Sequence, residues 1–98
     1  MKVYWTPESL DDRRAIFEWI EADSPRAAIQ FDELIAEKST CLSRHPKLGK
    51  PGRVDGTREL VLHRNYLLVY EIVNEQVWIL RVLHAARSWP VHEEGSGN

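Results

Sequence analysis

Arg58, Arg64, Arg81, His84 and Arg87 lie in or beside apolar runs in the second half of a 98-residue chain. Guanidinium groups hold phosphate or carboxylate oxygens through paired parallel bonds, and a histidine exchanges a proton near neutral pH. Cleaving RNA through its neighbouring 2′-OH needs a proton acceptor, a proton donor and cations that stabilise charge on the phosphorane. His84 supplies one of the two proton transfers. Arg58, Arg64, Arg81 and Arg87 suit phosphate oxygens, while Lys47, Lys50 and Arg53 suit the backbone of a nucleic acid or an acidic protein surface. The second proton-transfer group is the gap: Tyr66 and Tyr70 are phenols with an ordinary pKa of about 10, and Glu59 or Glu71 would need special placement. The same cations also serve as a binding surface with no chemistry at all.

Strand parity sharpens the choice. In a regular strand Arg81 shares a face with Val77 and Ile79, and His84 falls on the other face, so the two converge only where the strand ends near Leu83. A purely architectural role pairs Arg81 with Glu59 or Glu71 across the sheet and makes His84 a hydrogen-bonded terminal residue, since an unpaired buried arginine is costly. Other chemistries lack their parts. His45, His63, His84 and His92 are dispersed and Cys41 has no cysteine partner, so neither metal nor cofactor is expected. Cys41 sits in a helical apolar pattern and reads as core. There is no serine elbow and no phosphate-loop glycine spacing. Trp5, Trp19 and Trp78 are expected between helices and sheet, whereas Trp89, beside Pro90, is the expected exposed aromatic and an anchor for a partner.

The elements that must position these groups follow from caps and periodicity. Met1 to Trp5 alternates Lys2 and Tyr4 with Val3 and Trp5, which suits a short first strand. Thr6-Pro7 then starts a helix to about Ala22: Thr6 can accept a backbone N–H bond, Pro7 loses nothing at the first helical position, and Glu8, Asp11 and Asp12 favour the positive end of the helix dipole. Ser24-Pro25 repeats the start signal for a longer helix through Ala28, Phe31, Ile35 and Leu42. The short connection makes the pair an antiparallel hairpin. His45 to Gly52, with two prolines and two glycines, is read as irregular and strongly basic. Strands over Thr57–Ile72 turn at Arg64-Asn65, and the next pair turns at Asn74-Glu75. Neither turn has the favoured glycine, which leaves the register open. The order is β-α-α-β-β-β: an α+β fold with an N-terminal strand, a two-helix antiparallel hairpin and a three-stranded, mainly antiparallel sheet.

Length and composition indicate one domain over residues 1–92, with a disordered polar tail over 93–98. The apolar share of 43% is globular, and no run approaches the roughly 20 residues that span a bilayer. Without a signal-peptide pattern, a soluble, cytoplasmic protein with no membrane partner is expected. The formal charge of −2 hides an asymmetry: residues 1–41 carry nine acidic and five basic side chains, and residues 42–92 carry four and eight. A basic half of this kind favours encounter with anions.

The order of elements, together with His45-Pro46-x-x-Gly49-x-Pro51, Thr57-Arg58-Glu59-Leu60, Leu68-Val69-Tyr70 and Arg81-Val82-Leu83-His84-x-x-Arg87, resembles the RelE/ParE superfamily of bacterial toxins over residues 1–90. The resemblance implies the toxin of a type II toxin-antitoxin system, neutralised by a cognate antitoxin in a hetero-oligomeric complex. One branch of the superfamily cleaves mRNA on the ribosome and the other inhibits DNA gyrase. The long helical hairpin and the end of the Arg81 to His84 strand look more like the gyrase branch, and no tyrosine follows His84 as the nuclease branch would use. Gyrase inhibition is therefore the favoured expectation. Ribosome-dependent mRNA cleavage, with Arg58, Arg81, His84 and Arg87 as catalytic groups, is the alternative, and an inactive remnant that only binds antitoxin is a further one. Under either active mode Lys47, Lys50, Arg53, Arg64 and Trp89 are expected to contact the target.

Overall fold

A computed structural model describes residues 1–87 and Trp89. The expected tail over 93–98 lies outside the described residues. The chain runs β1 (Lys2–Trp5), α1 (Pro7–Glu21), α2 (Pro25–Arg44), β2 (Lys50–Pro51), β3 (Thr57–Val61), β4 (Tyr66–Val73) and β5 (Gln76–His84). Both helix starts are built as their sequences dictate. Thr6 Oγ1 accepts from Ser9 N–H at 3.1 Å and Ser24 Oγ from Ala27 N–H at 3.2 Å, each just ahead of a proline at the first helical position. Thr6 also donates through its own N–H to Ile79 O and through its hydroxyl to Leu80 O, both at 3.0 Å, which fixes the start of α1 against β5.

The strands form one five-stranded sheet in the order β1-β5-β4-β3-β2, antiparallel except for the parallel β1-β5 pair. The expected three strands are its centre. Two short edges extend it. The first strand joins because the helical hairpin carries the chain across to lay β1 beside β5. The segment read as wholly irregular adds Lys50–Pro51 beside Arg58 and Glu59.

Helices and sheet enclose a core in which Ile16, Ile20, Ala28, Phe31, Ile35 and Leu42 meet Leu68, Tyr70, Val77, Ile79 and Val82. Arg13 clamps the hairpin: its Nε and Nη2 donate to Asp32 at 2.6 and 3.0 Å, and its guanidinium stacks 5.0 Å over the Trp5 ring. Both sheet turns close through left-handed residues, Arg64 and Asn65 at φ 66° and 64° and Asn74 and Glu75 at φ 50° and 62°. The β4-β5 turn is a two-residue hairpin and the β3-β4 connection a three-residue loop, His63–Asn65; neither has glycine, and the asparagine in each tolerates the left-handed conformation best.

One irregularity decides where β5 points its side chains. Val69 pairs with Arg81 but Tyr70 pairs with Ile79, so Leu80 is an extra residue, a β-bulge. The bulge reverses strand parity. Val77 and Ile79 face the helices before it, and Val82 rejoins the same core after it. His84, two residues further, thus returns to the helical side, opposite Tyr66. The regular-strand reading, which separated His84 from that face, fails at Leu80.

Candidate functional site

The end of β5 and the start of β4 meet α1 in a groove of about 190 Å3 lined by Asp12, Ile16, Trp19, Tyr66, His84 and Arg87, among others. Its floor is aromatic. Tyr66 packs against Phe31 of α2 with ring centres 5.3 Å apart, and His84 meets Tyr66 edge-on at 5.3 Å and 83°. Ala86 N–H donates to His84 Nδ1 at 3.2 Å. An accepting Nδ1 puts the proton of a neutral imidazole on Nε2. Arg87, exposed one turn further, holds its backbone N–H on His84 O at 2.9 Å.

Trp19 forms the outer wall. It is 77% exposed, although the sequence placed it in the core, because the inward stripe of α1 runs through Ile16 and Ile20 and leaves Trp19 on the flank. Trp89 reverses the other way: expected exposed, it is half-buried. Trp5 and Trp78 are half-buried, Trp5 against the core and Trp78 stacked on Tyr4 at 4.8 Å.

Asp12 ties α1 to the sheet edge just past the end of β1. Its carboxylate accepts from Arg81 Nε at 2.7 Å, Arg81 Nη2 at 3.0 Å and Val82 N–H at 2.9 Å. The partner expected for Arg81, Glu59 or Glu71, is therefore replaced by a residue of α1. The hydrogen bond to Asp12 holds the Arg81 guanidinium above its already high pKa. A fork already filled by a carboxylate is not free for a phosphate. Asp12 was readable: it stands four and eight residues before Ile16 and Ile20, on the buried stripe, where a carboxylate needs partners.

Arg58 is also committed. Its Nη1 donates to Gly49 O at 2.6 Å, and Tyr70 secures the same loop by donating to Pro46 O at 2.6 Å and accepting from Gly49 N–H at 2.8 Å. Burial pushes the Tyr70 phenol above its ordinary pKa. Gly49 allows this close approach, since a Cβ there would lie 2.9 Å from Glu59 O and from the Tyr70 ring. Lys47 and Lys50 are exposed on the loop so held. Arg53 is anchored by buried Glu59, through its N–H at 3.0 Å and its Nε at 3.5 Å, and its Nη1 reaches Arg87 O at 3.3 Å. Arg64 is exposed in the β3-β4 turn beside a second, smaller cavity of about 110 Å3.

Of the residues expected to act, His84 and Arg87 share the groove, Arg81 adjoins it through Asp12, and Arg58 serves the basic loop. Lys47, Lys50, Arg53 and Arg64 do not line it. Trp19 and Asp12 were missed. What remains open to a partner is an indole, an imidazole edge and a guanidinium, a set suited to gripping a protein or nucleotide surface. Among the described groove residues, the proton-transfer groups outside the Asp12–Arg81 pair are His84 and the Tyr66 phenol.

Known proteins are similar to this chain in sequence and fold. The family model described as ParE toxin of type II toxin-antitoxin system, parDE, matches residues 3–89. Y4kP of Sinorhizobium fredii is 38% identical over 90 residues, covering 91% of this chain and 93% of that protein. Toxin RelE2 of Caulobacter vibrioides is 33% identical over 86 residues, covering 88% and 97%. Among solved structures, the chromosomal ParDE toxin-antitoxin system of P. aeruginosa superposes with a TM-score of 0.75 at 25% identity, over 86% of this chain and 95% of that one.

Proposed function

Because this chain belongs to the ParE toxin family of type II toxin-antitoxin systems, we propose that it inhibits growth by binding DNA gyrase and that a cognate antitoxin releases the block by covering the same surface. The observation that carries this reading is how the cations are used. Arg81 is held by Asp12 and Arg58 by the Gly49 carbonyl, so two of the four groups that phosphodiester cleavage would require are structural. Beside His84 the groove offers only the Tyr66 phenol among its described residues, a type of group that ordinarily titrates near 10, and nuclease chemistry by paired acid and base needs two groups matched to neutral pH. The groove instead offers Trp19, Tyr66, His84 and Arg87, aromatic and arginine groups of the kind that dominate protein interfaces. One observation favours mRNA cleavage as the second reading: His84 and Arg87 line the same groove, half of a proton-transfer and phosphate-binding set.

Induction of the chain in a growing bacterium, with DNA and protein synthesis pulse-labelled separately over the first minutes, decides between them. Gyrase inhibition predicts that DNA synthesis fails first with mRNA intact. Translation failing first, with new mRNA ends that disappear in His84→Ala, would replace it with the nuclease reading. Unaffected growth would leave a chain that only binds antitoxin.

A further inference from the structure

We infer that Arg53 is a positioning residue, which fixes the chain leaving β5 and with it the places of His84 and Arg87 in the groove. The inference rests on the reading of that groove as the surface that engages the target. By its type and place in the sequence Arg53 reads as a direct contact. The geometry gives its guanidinium a different task.

Residues 85–87 belong to no helix or strand, so their backbone groups need partners from elsewhere. The N–H groups find theirs close by. Ala85 N–H donates to Asn65 O at 2.7 Å, Ala86 N–H to His84 Nδ1 at 3.2 Å and Arg87 N–H to His84 O at 2.9 Å. The carbonyls of Ala85 and Arg87 are held by Arg53, whose Nη2 donates to Ala85 O at 3.5 Å and whose Nη1 donates to Arg87 O at 3.3 Å. One planar fork thus bridges two carbonyls, a geometry that the single ammonium of a lysine does not reproduce. Releasing them loosens the Ala86 bond that orients the His84 ring and lets the Arg87 side chain leave the groove.

Arg53 is itself held from a rigid base. Glu59 is buried on β3 and accepts from Arg53 N–H at 3.0 Å, with Arg53 Nε 3.5 Å from the same oxygen. The loop carrying Arg53 closes through Gly52 N–H to Thr57 O at 2.8 Å and Thr57 Oγ1 to Val54 O at 2.6 Å. It has no slack: a Cβ on Gly52 would lie 2.5 Å from Thr57 Oγ1. Burial on the sheet agrees with this arrangement. Leu68 and Tyr70 face the helices, so Leu67 and Val69, with Leu83 paired to Leu67, point to the opposite face, yet all three are buried. Glu59 pairs with Val69 on that face, and the loop it anchors together with the chain Arg53 holds closes over them.

Amide hydrogen exchange and growth inhibition, measured together on the parent, Arg53→Ala and Arg53→Lys, test this. In both variants the Ala85, Ala86 and Arg87 amides are expected to exchange about 10-fold faster while Leu68 and Val69 of the central strand stay unchanged, and growth inhibition is expected to fall about 10-fold. If Arg53→Ala fails to fold, Arg53→Lys, which keeps a cation beside Glu59, carries the comparison. Coupling separates positioning from general support of the fold: Arg53→Ala should add in full to Trp19→Ala and only in part to Arg87→Ala, through which it acts. Equal losses on those two backgrounds overturn the inference. Parent-like inhibition by Arg53→Lys assigns Arg53 to direct charge contact and also overturns it. Unchanged exchange, or faster exchange with undiminished inhibition, overturns it while leaving the target reading intact. A parent chain that does not slow growth removes both.

Discussion

At the scale of single residues, two side chains of α1 matter more than their sequence signals promised. Trp19 is exposed beside His84 and Arg87 and supports nothing in the core. Trp19→Ala should leave stability within about 0.5 kcal/mol while reducing growth inhibition about 10-fold, a combination that thermal unfolding and a plating assay read separately. Asp12 behaves oppositely. Asp12→Ala strands the Arg81 guanidinium and the Val82 N–H and should cost about 2 kcal/mol, a fall in Tm of about 10 °C. Tyr70 gives a pH signature. Its phenol is raised by burial, so the folded state keeps the proton at a pH where the unfolded chain has lost it. The stabilisation is complete below the ordinary value of 10.0 and fades as pH rises from there. Tyr70→Phe should flatten the alkaline loss of Tm relative to the parent as pH rises above about 10. The arginines and His84 were legible as chemistry-bearing types. Which of them are free was not, because Arg81 finds its acid 69 positions away in sequence.

Elements carry the next layer. Helix starts at Thr6-Pro7 and Ser24-Pro25 were written in the sequence because capping is local, and the three central strands because apolar runs between turns are local too. The bulge at Leu80 was not, since nothing in a continuous apolar strand marks an extra residue until its partner strand is in place. That single insertion returns His84 to the helical side and creates the groove. The five-strand sheet was similarly hidden: β1 pairs with a strand more than seventy residues later, and β2 is too short to show alternation. The β3-β4 turn stores a testable cost. Arg64 sits at φ 66°, a region disfavoured for residues with a Cβ, and its side chain is exposed. Arg64→Gly should therefore raise stability by up to about 1 kcal/mol in chemical denaturation, whereas Arg64→Val should lower it by a similar amount.

For the whole molecule, the charge asymmetry visible in the sequence takes a specific form. Among the described residues the helical half neutralises part of its acid, internally through Arg13 with Asp32 and Arg14 with Asp11, and across to the sheet through Asp12 with Arg81. Lys47 and Lys50 stay exposed on a loop that Tyr70 and Arg58 hold in place, and Arg87 stays exposed at the end of β5. A rigid scaffold thus displays cations and an aromatic groove while Asp12 secures Arg81 and the Gly49 carbonyl holds Arg58, two of the arginines that chemistry would have needed. The most direct test of this account is supercoiling by purified gyrase titrated with the purified chain, its Trp19→Ala variant and its His84→Ala variant. Binding without catalysis predicts stoichiometric inhibition by the parent, a right-shift of about 10-fold for Trp19→Ala and a graded, smaller shift for His84→Ala. Undisturbed supercoiling, alongside cleavage of ribosome-bound mRNA that His84→Ala abolishes, would contradict it.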